Sequence, residues 1–484
     1  MDHFDALIGG RQVETKGAFD DLDPSSGRRI AEVARCGERE VDAAVQAAHE
    51  AFEGRWGRTT PAERARTLRR MADLVDRERH PLAELESRDT GKPLRQALTD
   101  ARVAARYFEF YADTAEAVYG DTMPVAEDLL VYTLREPYGV TGHITPWNYP
   151  LQIGTRTVAP ALAAGNCCVL KPAEEAPLTA LRLGELAQEA GFPPGAVNVV
   201  PGYGEEAGAA LAGHPAIDHL AFTGSVAVGR SVAKAAADNA VPVTLELGGK
   251  SPNVLFADAD LGAALPVIVN SIIQNAGQTC SAGSRLLVEG EVHDAVVERV
   301  ADRFRKIKIG AGPEDPDLGP LISARQREGV EAYVEQGRSE ARLVLGGNVP
   351  TDELLSDGFF YLPTLFDEVP PQAKIAQEEI FGPVLAVATF NDPAEAAELA
   401  NATSYGLIAG VWTRDLSKAH FLAREIRAGQ VFVNTYGAGG AVELPFGGFK
   451  RSGYGREKGF EALLSYTQTK TVAVKVPSPS EFGR

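Results

Sequence analysis

His219-Leu220-Ala221-Phe222-Thr223-Gly224-Ser225-Val226-Ala227-Val228-Gly229 reads as an apolar strand that turns through Gly224 into a helix capped by Ser225. Parallel sheets are built from such strand-to-helix units, and the free amides at a helix start can hold a pyrophosphate. Taken alone, the stretch is equally an ordinary strand-to-helix turn. Outward from it, short apolar runs recur at Gly139 to Ile144, Cys168 to Lys171 and Ala196 to Val200, with helical patterns between them. This alternation predicts an α/β fold whose parallel sheet is covered on both faces, with ligands received at the carboxyl ends of its strands.

The same style continues downstream. Strands near Arg285 to Val288, Leu343 to Leu345, Val384 to Ala388, Leu407 to Val411 and Gln430 to Val433 predict a second α/β domain, with a boundary near Glu246-Leu247-Gly248-Gly249-Lys250. Upstream, Phe4, Ala6 and Ile8 alternate with polar residues, and a turn at Asp23-Pro24-Ser25-Ser26-Gly27 leads to a strand at Arg29 to Ala34. From Arg39 to about Ala117 the pattern is helical. Thr60-Pro61-Ala62-Glu63 supplies a capping box, and Thr90-Gly91-Lys92-Pro93 supplies a break. Two stretches, Leu129 to Leu134 and Thr469 to Val476, have strand composition but no partner nearby in sequence. Pairing with each other or with another subunit would satisfy their backbone groups, so they read as an oligomerisation element.

A chain of 484 residues with a net charge of −18 can bury two cores, and it lacks the basic footprint that nucleic acid or an anionic membrane requires. No run approaches the ~18 apolar residues of a membrane span, and the start has no signal-peptide pattern, so a cytoplasmic protein is expected. The four cysteines are too scattered for a disulfide framework, and the eight histidines form no ligand cluster, so no metal is expected.

Three stretches carry residues suited to chemistry. In Ile272-Ile273-Gln274-Asn275-Ala276-Gly277-Gln278-Thr279-Cys280-Ser281-Ala282-Gly283, an apolar helical run ends at a glycine and a lone thiol follows among small neighbours. That is how a nucleophile is presented, although a free cysteine is as often a small core residue. Asn148 lies in Ile144-Thr145-Pro146-Trp147-Asn148-Tyr149-Pro150, where two prolines stiffen the loop. A held amide suits a developing oxyanion, and asparagine is also a common turn residue. Glu246 is an acid among apolar residues, the setting that raises a carboxyl pKa and suits a general base; a buried ion pair is the alternative. The run Gly202-Tyr203-Gly204-Glu205-Glu206-Ala207-Gly208 has its last glycine one place too late for a dinucleotide fingerprint.

Together these stretches resemble the aldehyde dehydrogenase superfamily over essentially the whole chain. The resemblance is carried by Thr145-Pro146-Trp147-Asn148, Lys171-Pro172-Ala173-Glu174, Phe222-Thr223-Gly224-Ser225, Leu245-Glu246-Leu247-Gly248-Gly249-Lys250, Gly277-Gln278-Thr279-Cys280, Glu379-Ile380-Phe381-Gly382-Pro383 and Pro445-Phe446-Gly447-Gly448, in the family's order. It implies a Rossmann-like NAD-binding domain over 1–118 and 138–246, a catalytic α/β domain over 247–440, and a small β oligomerisation element from 119–137 and 462–484, assembled as a homodimer or homotetramer.

It further implies that Cys280 attacks an aldehyde, that Asn148 holds the oxyanion, and that Glu246 activates the water releasing a free acid. Relatives that pass the acyl group to coenzyme A lack this glutamate. The implied cofactor contacts are Lys171 and Glu174 at the adenine ribose, Gly224 and Ser225 at the pyrophosphate, Glu379 and Phe381 at the nicotinamide ribose, and Trp147 along the cleft. Ile144, Thr145, Gly204, Val228 and Leu247 complete the set. A carboxylate such as Glu174 accepts hydrogen bonds from a ribose diol but repels a 2'-phosphate, which favours NAD over NADP.

Arg156 occupies the position where semialdehyde enzymes carry an arginine for the substrate carboxylate, so it is expected, with Tyr149 and Gln274, along the substrate tunnel. Gln274 replaces those enzymes' second arginine, and Tyr436 to Ala441 offers no serine where theirs has one. An acid semialdehyde, an aromatic aldehyde and an aliphatic or amino aldehyde therefore all stay open, with a salt bridge outside the tunnel as the other reading of Arg156. A thiol esterase or a non-catalytic structural relative are the rivals of a different class.

Overall fold

The computed structural model describes residues 2–437 and 441–477. Five parallel strands make the middle of the first sheet, in spatial order Val243–Glu246, His219–Thr223, Val140–Ile144, Cys167–Lys171 and Val197–Val199. Every residue in them except Val243 is buried, as near-continuous apolar runs require of strands covered on both faces. Connection order reverses between Val140–Ile144 and His219–Thr223. At such a reversal the connections leave to opposite faces and open a crevice at the carboxyl ends. Into this crevice run Thr145 to Asn148 from one strand and Gly224 with Ser225 from the next, while a third strand ends on Glu246.

Both edges of this sheet are closed antiparallel by distant parts of the chain. Ala6–Ile8 lies beside Val197–Val199 and is followed outward by Arg11–Val13. At the other edge Gly453–Tyr454 lies beside Val243–Glu246, with Gly453 opposite Glu246. The helical region folds as its signals direct: Thr60 and Glu63 cap Pro61–Arg77 reciprocally, and Arg79–Thr90 stops at Gly91 with φ 76°.

The second sheet has seven strands in the order Arg342–Leu345, Thr364–Asp367, Val384–Phe390, Arg285–Glu289, Pro252–Leu255, Ile408–Trp412 and Gln430–Val433. Only the pairing of Arg342–Leu345 with Thr364–Asp367 is antiparallel. The pattern at Pro252–Leu255, Thr364–Asp367 and Gly453–Tyr454 does not announce a strand. The first opens with proline and asparagine, the second is framed by polar residues, and the third is two residues long.

Leu129–Pro137 and Thr467–Lys475 do pair with each other, antiparallel, from Leu129 opposite Lys475 to Pro137 opposite Thr467. The expectation that Leu129–Leu134 lacks a nearby partner is corrected, because Thr122–Ala126 folds back on it as a hairpin. The boundary at 462 also moves. Helix Gly459–Ser465 packs on Pro150–Ala164, and its Ala462 and Leu463 belong to the first core, so the small sheet takes only the strand that begins at Thr467. Residues 438–440, within the loop lacking the serine, and 478–484, the Pro/Ser tail, lie outside the described residues. Among the described residues no helix is long and apolar enough to cross a membrane.

Candidate active site

The crevice of the first sheet faces the second domain across a cavity of ≈ 360 Å³. Pro146, Trp147 and Asn148 line it from one loop, Thr223, Gly224 and Ser225 from the next, and Glu246 with Gly248 from the third. The second domain contributes Cys280, Glu379, Ile380 and Phe381. Trp147 meets Phe381 edge to face, with ring centroids 5.3 Å apart. Asn148, Glu246 and Cys280, far apart in sequence, are thus walls of one space.

The thiol is delivered by an abrupt turn. Helix Leu261–Ile273 runs into Asn275 (φ 51°), Ala276 (φ 54°) and Gly277 (φ 73°), three successive left-handed residues. A side chain at Gly277 would place its Cβ 2.1 Å from the Gly382 carbonyl oxygen. The buried Asn275 amide donates to the Asn148 carbonyl at 2.8 Å and to the Gln278 carbonyl at 3.2 Å. Asn148 Nδ2 donates to that same Gln278 carbonyl at 3.0 Å. An amide nitrogen carries two hydrogens, so this bond orients Asn148 and leaves the second hydrogen for a ligand oxygen. On the far side, the Tyr149 and Thr279 hydroxyls share a hydrogen bond of 2.8 Å, and the Lys92 ammonium sits 4.3 Å from the centre of the Tyr149 ring.

Burial pushes the half-buried Cys280 thiol up to about 12, against the pull of Arg156. Glu246 is buried with both carboxylate oxygens unpartnered. Its burial, with Glu457 nearby, holds its pKa well above the usual carboxylate range, and Arg156 and Arg456 pull the other way. Burial thus favours the neutral thiol at Cys280 and the protonated carboxyl at Glu246. Glu379 accepts from the Gly249 amide at 3.0 Å, and burial raises it to about 7. Gly248 and Gly249 have no room for side chains: a Cβ would come 2.0 Å from the Glu379 carboxylate at the first and 2.3 Å from the Cys280 carbonyl at the second.

The remaining predicted contacts divide. Ser225 caps helix Val226–Asp238 by accepting from the Val228 amide at 3.3 Å, and Val228 itself is exposed. Lys171 pairs with Glu174 at 2.9 Å, and the Gly204 amide points at Glu174 across 3.5 Å, a cluster at the carboxyl ends of neighbouring strands. The Thr145 amide bonds Lys171 O, the Leu247 amide bonds Ser452 O, and Ile144 is buried at its strand end; these three set the backbone rather than line the cavity. Gln274 is half-buried at the start of the turn and also stays out of the cavity wall.

Arg156 differs from its expected place. It is buried in helix Pro150–Ala164, off the cavity wall, where Nε pairs with Glu457, Nη2 donates to Thr223 Oγ1 at 3.4 Å, and the guanidinium lies 5.2 Å from the centre of the Phe446 ring. Glu457 escaped sequence reasoning because nothing local marks it. Gln326, Gly329 and Tyr333 were missed too, although their spacing along helix Ala324–Glu340 puts them on one face. Gln326 Nε2 donates to the Phe381 carbonyl at 2.8 Å, and the Tyr333 hydroxyl donates to Glu378 at 2.8 Å.

A sequence profile of the aldehyde dehydrogenase family matches residues 12–472. Retinal dehydrogenase 2 of Mus musculus is 44% identical over 471 residues, covering 96% of this chain and 90% of its own length. An aldehyde dehydrogenase from Bacillus cereus, solved as an NAD+ complex, superposes with a TM-score of 0.96 at 42% identity over 98% of this chain and 97% of its own. A betaine aldehyde dehydrogenase point mutant from Staphylococcus aureus, in complex with NAD+, gives 0.96 at 38% identity over 97% of each chain.

Proposed function

Because this chain belongs to the aldehyde dehydrogenase family, we propose that it oxidises an aldehyde to the free carboxylic acid with NAD as cofactor. The observation that carries the reading is the convergence of Cys280, Asn148 and Glu246 on one cavity, with the Gly224-Ser225 helix start and Glu379 on its other walls. The Cys280 thiol gives its proton to water as Sγ bonds to the aldehyde carbon, the carbonyl pair moves onto oxygen as an alkoxide held by the free hydrogen of the Asn148 amide, and loss of hydride from that carbon to the cofactor restores the C=O as a thioester. When bound, NAD supplies the hydride acceptor and a positive charge that favours the thiolate. Glu246 then takes a proton from water as its oxygen adds to the thioester carbon, and the carbon–sulfur bond breaks to release the acid. No hydrogen bond ties the Glu246 carboxylate down, so both of its oxygens are available to the water.

The residues present fit the cofactor. Helix Val226–Asp238 starts on the cavity, Glu379 faces it, and the Lys171–Glu174 pair lies at the next strand ends. Glu174 disfavours a 2'-phosphate, so NAD is preferred to NADP.

The test is absorbance at the NADH band across a panel of aldehydes. The wild type should reduce NAD, with a higher kcat/KM than for NADP. The Cys280→Ala protein should bind NAD and reduce none. Acid formation without NADH would point instead to an esterase, and a preference for NADP would overturn the role given to Glu174.

A further inference from the structure

Thr90-Gly91-Lys92-Pro93 does more than break one helix from the next. Helix Arg79–Thr90 ends there and helix Leu94–Thr114 begins, and both precede in sequence every residue that lines the cavity. Lys92 is nevertheless 1% exposed, and its ammonium donates to Glu86 Oε1 at 2.8 Å and to Asp100 Oδ2 at 2.7 Å. An ammonium has three hydrogens; two go to the carboxylates, and the third is left for the Tyr149 ring, whose centre lies 4.3 Å from the nitrogen. Glu86 and Asp100 are buried as well. Such a cluster stabilises a fold less than apolar side chains of the same size would, so its value lies in what it holds.

It holds both loops of the cavity. The second Glu86 oxygen accepts from the Leu151 amide at 3.2 Å, and the second Asp100 oxygen accepts from Gln152 Nε2 at 3.4 Å. Leu151 and Gln152 open helix Pro150–Ala164, directly after Asn148 and Tyr149. From the helix that carries Asp100, Gln96 Oε1 accepts from the Asn275 amide at 3.0 Å, within the left-handed turn that leads to Cys280. One body therefore moors the Asn148 loop and the Cys280 turn.

Tyr149 joins the two. Its ring rests on Lys92, and its hydroxyl shares the 2.8 Å hydrogen bond with Thr279. Burial, with Asp100 nearby, holds the phenol above its usual range against the pull of Lys92 and Thr279, so it keeps its proton at neutral pH. Resting on the reading of Cys280 as nucleophile and Asn148 as oxyanion donor, we propose that Tyr149 and Thr279 are positioning residues: their hydrogen bond, anchored on the Lys92–Glu86–Asp100 cluster, sets the Cys280 sulfur and the Asn148 amide so that both meet one carbonyl group. Tyr149 follows Asn148 and Thr279 precedes Cys280, and neither lines the cavity itself. They act on where the reacting groups stand, and a small misplacement there is costly.

The experiment follows single-turnover NADH formation, with enzyme in excess over butanal, in the wild type, Tyr149→Phe, Thr279→Val, Thr279→Ser and Tyr149→Phe/Thr279→Val. Tyr149→Phe keeps the ring over the ammonium and removes only the hydroxyl, and Thr279→Val keeps the shape. Each should slow the turnover roughly three- to tenfold, the range of one neutral hydrogen bond, with NAD affinity unchanged. The double variant should be no slower than the slower single, because one bond is lost only once, and Thr279→Ser, which keeps the hydroxyl, should match the wild type. Additive losses, single variants as fast as the wild type, or a Thr279→Ser as slow as Thr279→Val overturn the proposal. Tyr149→Leu also gives up the ring and should be slower than Tyr149→Phe; equal rates would overturn the anchoring on Lys92.

An ester separates this outcome from failure of the wider reading, because 4-nitrophenyl acetate needs no cofactor to acylate Cys280. Sγ bonds to the acyl carbon, the thiol proton goes to water, and 4-nitrophenolate leaves. Its stopped-flow release, lost in Cys280→Ala, should rank the variants in the same order. Release at one rate in all the Tyr149 and Thr279 variants would overturn the positioning role even where NADH forms. Absence of NADH from every aldehyde, with the ranking intact, would fault the oxidation alone.

Discussion

At Glu246 the cost of burying a carboxyl becomes a property that hydrolysis can use. Both oxygens lack partners, and burial together with Glu457 favours the protonated form. Deacylation should therefore accelerate as pH rises and the carboxyl ionises. Glu246→Gln keeps the shape and loses the base, so it should give a burst of NADH near one per site and then a steady state slower by roughly a hundredfold or more. Stopped-flow absorbance reads both phases, and a loss of the burst would mean that Glu246 supports attack rather than hydrolysis. Cys280, Asn148 and Glu246, proposed as nucleophile, oxyanion donor and base, stand out in sequence because each lies in a short, chemically distinctive stretch. Glu457 does not, since its meaning comes from Arg156, which reaches it only through the fold.

At the scale of the element, a strand shows itself when it is long and apolar, as Cys167–Lys171 is, and hides when its neighbours supply the burial, as for Pro252–Leu255. The turn before Cys280 is harder still, because nothing in Asn275-Ala276 marks left-handed backbone; the Asn148 and Gln278 carbonyls impose it. The adjacent strands Val140–Ile144 and His219–Thr223 carry a testable charge consequence. Burial depresses His143 to about 3 and His219 to about 4. Below the ordinary value of 6.5 the unfolded chain binds protons that these rings refuse in the fold. Their stabilising contribution is full above pH 6.5 and is lost as pH falls toward 4 and 3, at about 1.4 kcal/mol per ring per pH unit. Buried carboxyls raised by desolvation, such as Asp21 at about 7, act in the opposite direction, so the difference between proteins is the measure. The melting midpoint of His219→Leu should respond less steeply to pH between 6.5 and 4 than that of the wild type, and equal slopes would refute the assignment.

For the whole molecule, the order of two α/β units and the crevice between them follow from the alternation of patterns, whereas the return of the chain to its first sheet does not. Thr467–Lys475 leaves one side of the three-stranded sheet unpaired, and Leu130, Leu134, Val125 and Val474 are exposed on that sheet. An open edge with apolar flanks is a pairing surface, so association of copies through this element is the proposal. Removal of residues 467–484 should convert a larger species to monomer in sedimentation, and an unchanged mass would rule the element out as the contact.

The two-residue strand Gly453–Tyr454 has a consequence in time rather than in space. During synthesis Cys280 leaves the ribosome well before the segment that borders Glu246 exists. Until then the strand ending on Glu246 is a raw edge, and Glu457 has not yet arrived. Contacts of such long sequence separation form late. A growing chain therefore carries Cys280 without a finished site around it until the segment that borders Glu246 has been made.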